Sequence, residues 1–289
     1  MSTTTIPTPI HEKPKGTAEY VRNSPVYLLL AIYAIVIAYP LVWMLISSFK
    51  SSSEIFSDPW GLPQTWLVQN YAQAWDRGIS GYFVNSALVT IATTVGTVLL
   101  SALCAYGMVR MASRTANIIL IIAMGGLVVA PQVSLIPLYQ MLDALGLLDT
   151  LWAMILPYIA FRVPMAILLI RSVFLSIPKD LEDAATIDGC RSLGVFRHVY
   201  VPLSKSILVT AGVLTGYFAW NEFLFAIVFV NSDANRTIPA GLMSFRDALS
   251  TEWGVLLAGL VIAALPIIIV FLLLQRYFVA GITAGSIKG

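Results

Sequence analysis

The sequence predicts an all-α, polytopic membrane protein with six transmembrane helices and both termini cytoplasmic. Three observations predict it. Of 289 residues, 58% are hydrophobic and only 11% charged, where soluble domains carry about 25% charged residues; with a mean hydropathy of +0.83, the chain cannot cover a globule with polar surface. Apolar runs recur at the length of roughly 20 residues that a helix needs to cross the hydrocarbon core. Lys and Arg, finally, fall unevenly on the segments between those runs. The two cysteines, Cys104 and Cys190, are too few for a disulfide framework, and a formal charge of +2 gives no reason to expect nucleic-acid binding.

The first run, 26–49, has no charge and follows a tail, 1–25, rich in Thr, Pro and Lys. It is longer than the apolar core of a signal peptide and ends without a small-x-small cleavage site, so it is expected to be retained as the first helix. The second and third runs, 82–109 and 115–141, are also free of charge, the third being expected to leave the membrane early, near Pro137. The fourth, 150–170, carries Arg162, and the fifth, 206–232, carries Glu222; the sixth, 253–275, carries no charge. Apolar residues around the whole circumference are what lipid demands of a helix whose backbone groups are satisfied internally. Pro40, Pro131, Pro157, Pro164 and Pro266 are expected to kink spans beside a cavity, and Gly125-Gly126 to mark a close-packing spot.

Alternate segments hold Lys13, Lys15, Arg22, Arg110, Arg114, Arg171, Lys179, Arg191, Arg197, Lys205, Arg276 and Lys288; the other set holds only Lys50, Arg77, Arg236 and Arg246. The positive-inside rule assigns the first set to the cytoplasm. The organisation that follows is a tail (1–25), a six-helix domain (26–276) with an internal loop at 172–205, and a C-terminal tail (277–289). A prokaryotic cytoplasmic membrane suits it.

Much chemistry is excluded. His11 and His198 both lie in cytoplasmic segments, so no span carries a histidine for a proton relay or metal site. There is no Gly-x-Ser-x-Gly elbow, no aspartate pair in the spans and no phosphate-binding loop of the Gly-x-x-x-x-Gly-Lys-Ser/Thr type. The chain does not read as an enzyme, and no metal or cofactor site is expected.

The internal loop reads Ser176-Ile-Pro-Lys-Asp-Leu-Glu-Asp-Ala-Ala-Thr-Ile-Asp-Gly189, then Cys-Arg-Ser-Leu-Gly-Val-Phe-Arg-His-Val-Tyr-Val-Pro202. Pro178 suits the first turn of a helix, and Asp180, Glu182 and Asp183 suit its positive end. Leu181, Ala184, Ala185 and Asp188 share a face, which places two small alanines together, and Gly189 permits a sharp stop. The result is a short helix with a low profile, open to close approach by another protein or simply solvated.

Asp183-Ala184-Ala185, three residues, Gly189, nine residues, then Val199-x-Val201-Pro202 resembles the signature loop of binding-protein-dependent ABC importer permeases, written EAA, x3, G, x9, I-x-L-P. Asp183 stands for the Glu, though Glu182 precedes it, and valines replace Ile and Leu. Trp220-Asn221-Glu222-Phe223 resembles a motif of sugar-importer permeases, and 280–289 resembles the tail of the maltose-type second permease subunit. The resemblance covers nearly the whole chain.

It implies a type I ABC importer permease fold and alternating access for a di- or oligosaccharide. The implied partners are a second permease, two copies of a cytoplasmic ATPase that uses the ATP and Mg, an external or periplasmic sugar-binding protein, and the lipid bilayer. The coupling helix would span 179–189. Glu182 and Asp183 would pair with basic residues of the ATPase, Ala184 and Ala185 would pack closely, Gly189 would make the turn and Pro202 would close the motif. Gly285, Ser286, Lys288 and Gly289 would reach the ATPase interface. Asp233, Asn235, Arg236 and Arg246 would meet the binding protein. Tyr217, Asn221 and Glu222 are candidates for the translocation path, Glu222 being equally readable as a buried structural carboxylate. Arg162 is expected to pair with Glu222; the alternatives are snorkelling along the pore or contact with an anionic substrate, and the latter suits an importer of glycerol phosphate or another polyol derivative. An ion-coupled secondary transporter is the distant competitor.

Overall fold

A computed structural model describes residues 24–111, 114–128, 130–245 and 251–284, with side chains described as far as Gln275. Every regular element among the described residues is helical. Four helices are long and apolar enough to cross a membrane, and the number reaches six if each of two sharply bent helix pairs is one span.

The first helix, Ser24–Ser47 (α1), runs through Pro40 without breaking. Its first four turns are exposed on every side, as an apolar helix is in lipid, and only its last turn is partly covered. The chain then turns back through the short helix Gln69–Ala74 and a π turn at Trp75–Ile79 into Ser80–Met111 (α2). The third run departs from its expectation. Arg114–Val128 (α3) ends before Pro131, a 3-10 turn follows at Pro131–Ser134, and Leu135–Ala144 (α4) leaves at 89° to α3. The break thus lies at Pro131, where a ring without an N–H opens a new turn, and Pro137 sits inside α4. The fourth span, Trp152–Phe174 (α5), continues through Pro157 and Pro164.

After the loop helix Lys179–Ile187 (α6) comes Ser192–Leu203, which meets Lys205–Asn221 (α7) at 80°. The fifth run is also interrupted: α7 stops at Asn221, and a separate helix, Leu224–Phe229 (α8), starts beyond Glu222. The last helix, Trp253–Ala284 (α9), passes through Pro266 and continues beyond Arg276. It absorbs the first part of the expected C-terminal tail.

The core forms where α5 crosses α2 and α7 lies over both. One apolar cluster gathers Val89, Tyr158, Phe225 and Phe229 around the α7–α8 break. A second gathers Tyr106, Phe174, Phe196 and Tyr200 at the end near α6. The α2–α7 contact is close because α7 offers only backbone there: a Cβ on Gly212 or Gly216 would meet Thr94 at 3.5 and 3.3 Å, the geometry of a small-x-x-x-small crossing. By contrast Gly125 faces open space, and Gly126 abuts Pro164.

The bundle has two unlike ends. Away from α6, hydrogen bonds tie distant segments: Tyr82 donates to Asp233 at 2.6 Å, Asn70 to the Ser48 carbonyl at 2.8 Å, and Trp253 N–H to Ser52 at 2.9 Å. At the α6 end aromatic contacts predominate, joined by one ion pair and by hydrogen bonds from Tyr106, Arg110 and Tyr200.

Candidate functional site: a capped loop helix and a broken span

The loop helix is built as its residues suggest. Pro178 precedes it in extended backbone, and Asp180 and Glu182 lie in its first turn. At the other end Gly189 sits at φ +86. Its N–H donates to the Thr186 carbonyl at 3.0 Å, and Cys190 N–H to the Ala185 carbonyl at 2.9 Å. This pair of bonds is a Schellman cap, which needs a left-handed residue and so favours glycine. A Cβ at Gly189 would meet no atom within 4 Å, so the requirement is conformational, not steric.

The faces of α6 divide differently from expectation. Ala184 is exposed, together with Asp183 and Asp180, but Ala185 turns inward against the cluster of Phe174, Phe196 and Tyr200. One position around the helix separates them by about 100°, and the aromatic cluster decides which alanine is covered. Ile187 is 85% exposed and Leu193 69%, so the outward surface is apolar as well as small.

Glu182 does not point outward. Its Oε1 lies 2.6 Å from Arg110 Nε at the end of α2, and its Oε2 accepts a hydrogen bond from Tyr200 at 3.0 Å. Arg110 also donates to Ser192 and sits over the Tyr106 ring, 5.6 Å from its centroid, while Tyr106 donates to the Ser192 carbonyl at 2.8 Å. Burial first, and then the Glu182 carboxylate, push the Tyr200 phenol up to about 12, so it stays protonated and donating at physiological pH. Glu182 is therefore held within the chain, and of the pair Glu182 and Asp183 only Asp183 faces out, beside the exposed Asp180 and Asp188. Pro202 lies in the short helical turn that leads to α7.

In the fifth span, Glu222 bridges the break. Its Oε1 accepts from Leu224 N–H at 2.9 Å and its Oε2 from Phe225 N–H at 3.0 Å, the free amides that open α8. Its Oε2 also accepts from the Tyr158 hydroxyl at 2.5 Å, and Tyr158 is fully buried. Of the two readings, the structural carboxylate is the one the geometry supports. Arg162 does not pair with it: it rests over the Phe218 ring, 5.0 Å from its centroid, and makes one long bond of 3.4 Å to the Leu214 carbonyl. Its Nε is buried without a partner, and none of the ion pairs among the described residues includes it. Tyr217 is exposed, and Asn221 donates to the Tyr217 carbonyl at 2.8 Å.

At the opposite end, Asp233, Asn235 and Arg236 lie in a short segment that Asp149 pins. Asp149, at φ +58, accepts from Asn231 N–H at 3.0 Å and from Ser232 N–H at 2.8 Å. Those bonds, Ser232 foremost, hold its carboxyl below the usual aspartate range. Asn235 donates to the Asp149 carbonyl at 2.7 Å, and Arg236 lies 3.1 Å from Asp233. Arg246 lies outside the described residues, as do Gly285, Ser286, Lys288 and Gly289.

Arg110, Tyr158, Tyr200 and Asp149 were not singled out from sequence. A signal existed for the tyrosines, since a buried phenol needs an acceptor and Glu182 and Glu222 each need donors, but nothing local matched one to the other.

Residues 97–284 match the family described as binding-protein-dependent transport system inner membrane component. The chain is 55% identical over 270 residues to the probable ABC transporter permease protein YurM of Bacillus subtilis, across 93% of this chain and 90% of that one. It is 32% identical over 263 residues to the trehalose/maltose transport system permease protein MalG of Thermococcus litoralis, across 89% and 94% respectively. The fold matches, with a TM-score of 0.77, a chain of a bacterial ABC transporter involved in the import of the acidic polysaccharide alginate. That match covers 92% of this chain and 99% of the other at 22% identity, and is a likeness of fold.

Proposed function

The chain belongs to the family of binding-protein-dependent transport system inner membrane components, the permeases of ABC importers, and we propose that its cargo is a di- or oligosaccharide and that α6 is its coupling helix. The observation that carries the coupling role is the construction of α6: a capped helix with exposed Asp183, Ala184 and Ile187, fastened from behind to α2 through Glu182 and Arg110. A helix fastened in this way passes a push from outside directly to a membrane span. The sugar reading draws support from the trehalose/maltose relative and the alginate neighbour.

In this reading the α6 end faces the cytoplasm, as the basic residues favour. Two ATPase subunits dock there, a second permease completes the pathway, and a binding protein delivers sugar to the end that carries Asp233 and Asn235. ATP hydrolysis belongs to the ATPases. Glu222 is occupied by backbone amides, which leaves the fifth span no free acid for ion coupling and disfavours the secondary-transporter reading.

Purification of the chain from its native membrane in mild detergent tests this. Recovery of a second permease, an ATPase and a sugar-binding protein is expected. Recovery of the chain alone, with uptake driven by an ion gradient, would overturn the reading. Asp183→Arg or Ala184→Arg should insert normally and lose ATP-driven uptake. Ala185→Arg is a poorer probe, because Ala185 faces the protein's own core.

One observation favours a second cargo, glycerol phosphate or another anionic polyol derivative: Arg162 lies within a span with no acid partner. Competition of labelled sugar uptake by anionic and neutral polyols separates the two, and an unaltered competition profile in Arg162→Gln would remove the anionic cargo.

A further inference from the structure

A cavity of about 360 Å³ opens where the α6-proximal ends of α2, α3 and α5 meet. Arg114 and Asn117 of α3 and Arg171 of α5 face it, between apolar walls that include Met108, Val109 and Leu175. No acidic residue lines it. Neither arginine belongs to an ion pair among the described residues, and Arg171 Nε is buried with no hydrogen-bond partner. Two unpaired cations lining one half-apolar cavity, one of them with a buried, unpartnered Nε, favour an anion there.

The surface that continues from the cavity says which anion. Arg114 stands at the foot of α3, and Ile118, Ile121 and Ile122 follow it at i+4, i+7 and i+8, which places them above it on the same face. They are 56%, 67% and 69% exposed, an uncovered apolar stripe beginning at the basic cavity. A free phosphate would use the arginines and leave the stripe unused; a molecule with a phosphate at one end and hydrocarbon at the other uses both. We propose that this cavity binds the phosphate of an anionic phospholipid, held between Arg114 and Arg171 with Asn117 as an additional donor, its acyl chains lying along the α3 isoleucines. Basic pockets between spans at the positively charged side of a membrane protein suit such headgroups.

The test uses the full chain, purified in detergent containing equal phosphatidylglycerol and phosphatidylcholine, with retained lipid measured by native mass spectrometry. Wild type should retain phosphatidylglycerol preferentially. Arg114→Gln and Arg171→Gln should each lower that retention about fivefold, the effect of one basic contact near a membrane surface, and the double variant should abolish the preference. Arg197→Gln, which alters an exposed arginine elsewhere at the same end, should leave it unchanged. Equal retention of the two lipids, or undiminished preference in both single variants, would overturn the proposal. So would loss of bound phosphatidylglycerol to millimolar inorganic phosphate, which would make this a phosphate site. Should the double variant fail to fold, the single variants decide. No ATPase or sugar enters the measurement, so its failure leaves the transport reading standing.

Discussion

Glu182 and Glu222 are both half-buried acids that accept a hydrogen bond from a buried tyrosine, Tyr200 and Tyr158 respectively. Their remaining partners differ. Glu182 is held by the Arg110 side chain, a link between two elements that can lengthen or part. Glu222 is held by the backbone amides of the helix it opens, which cannot leave without unwinding α8. The same functional group therefore serves as a removable fastener in the loop and as part of the frame in the span. Residue type and motif do not tell the two apart; the partner atoms do.

The largest effect that sharpens this comparison is expected at Glu222. Glu222→Ala strands two amides and the Tyr158 hydroxyl, at roughly 1–3 kcal/mol for each buried group left unsatisfied, so detergent-solubilised protein should aggregate on size exclusion. An alanine variant as stable as its parent would remove Glu222 from the frame. Gly189→Val comes next. The left-handed conformation costs a residue with a Cβ about 1–2 kcal/mol, and the Schellman cap should open, leaving insertion intact and uptake absent; normal uptake at normal expression would refute the coupling role.

Arg110→Ala should cost about 1–2 kcal/mol, between the limits for exposed and buried pairs. Its thermal effect should be non-additive with that of Glu182→Gln in a double-mutant cycle. Additive losses would mean that the contact contributes nothing. The smallest effect concerns Asp149. Its folded carboxyl is held below the usual range, so its stabilising contribution is fully present above the ordinary aspartate value of about 4 and is lost as pH falls through the lower folded value. Hydrogen exchange at Asn231 and Ser232 should accelerate, relative to other amides, as pH falls through that lower value. Asp149→Asn should show no such acid step.

Much of the fold was legible because its causes are local or compositional. Apolar run length located the spans, and the glycine stop of α6 follows from the conformation only Gly189 takes without strain. The breaks were not legible to the same degree. Hydrophobicity continues through 126–131 and through 223–230, so a pattern based on it runs straight across both, and only Pro131 and Glu222 mark them. Pro40, Pro157, Pro164 and Pro266 mark no break, since each lies within a continuous helix. At the loop, composition indicated an exposed helix but not its orientation. Ala185 faces inward because Phe174, Phe196 and Tyr200, brought from other elements, lie behind it, and Glu182 is engaged because α2 delivers Arg110.

The glycine seam between α2 and α7 carries a consequence for motion. Gly212 and Gly216 leave no flexible side chain to slide between those helices and Thr94, so the pair should tilt as one lever, without internal shear. A transport cycle must then take up its angular change elsewhere. The discontinuities at Pro131 and at Glu222 are where the backbone ladder is already open, and bending should concentrate there.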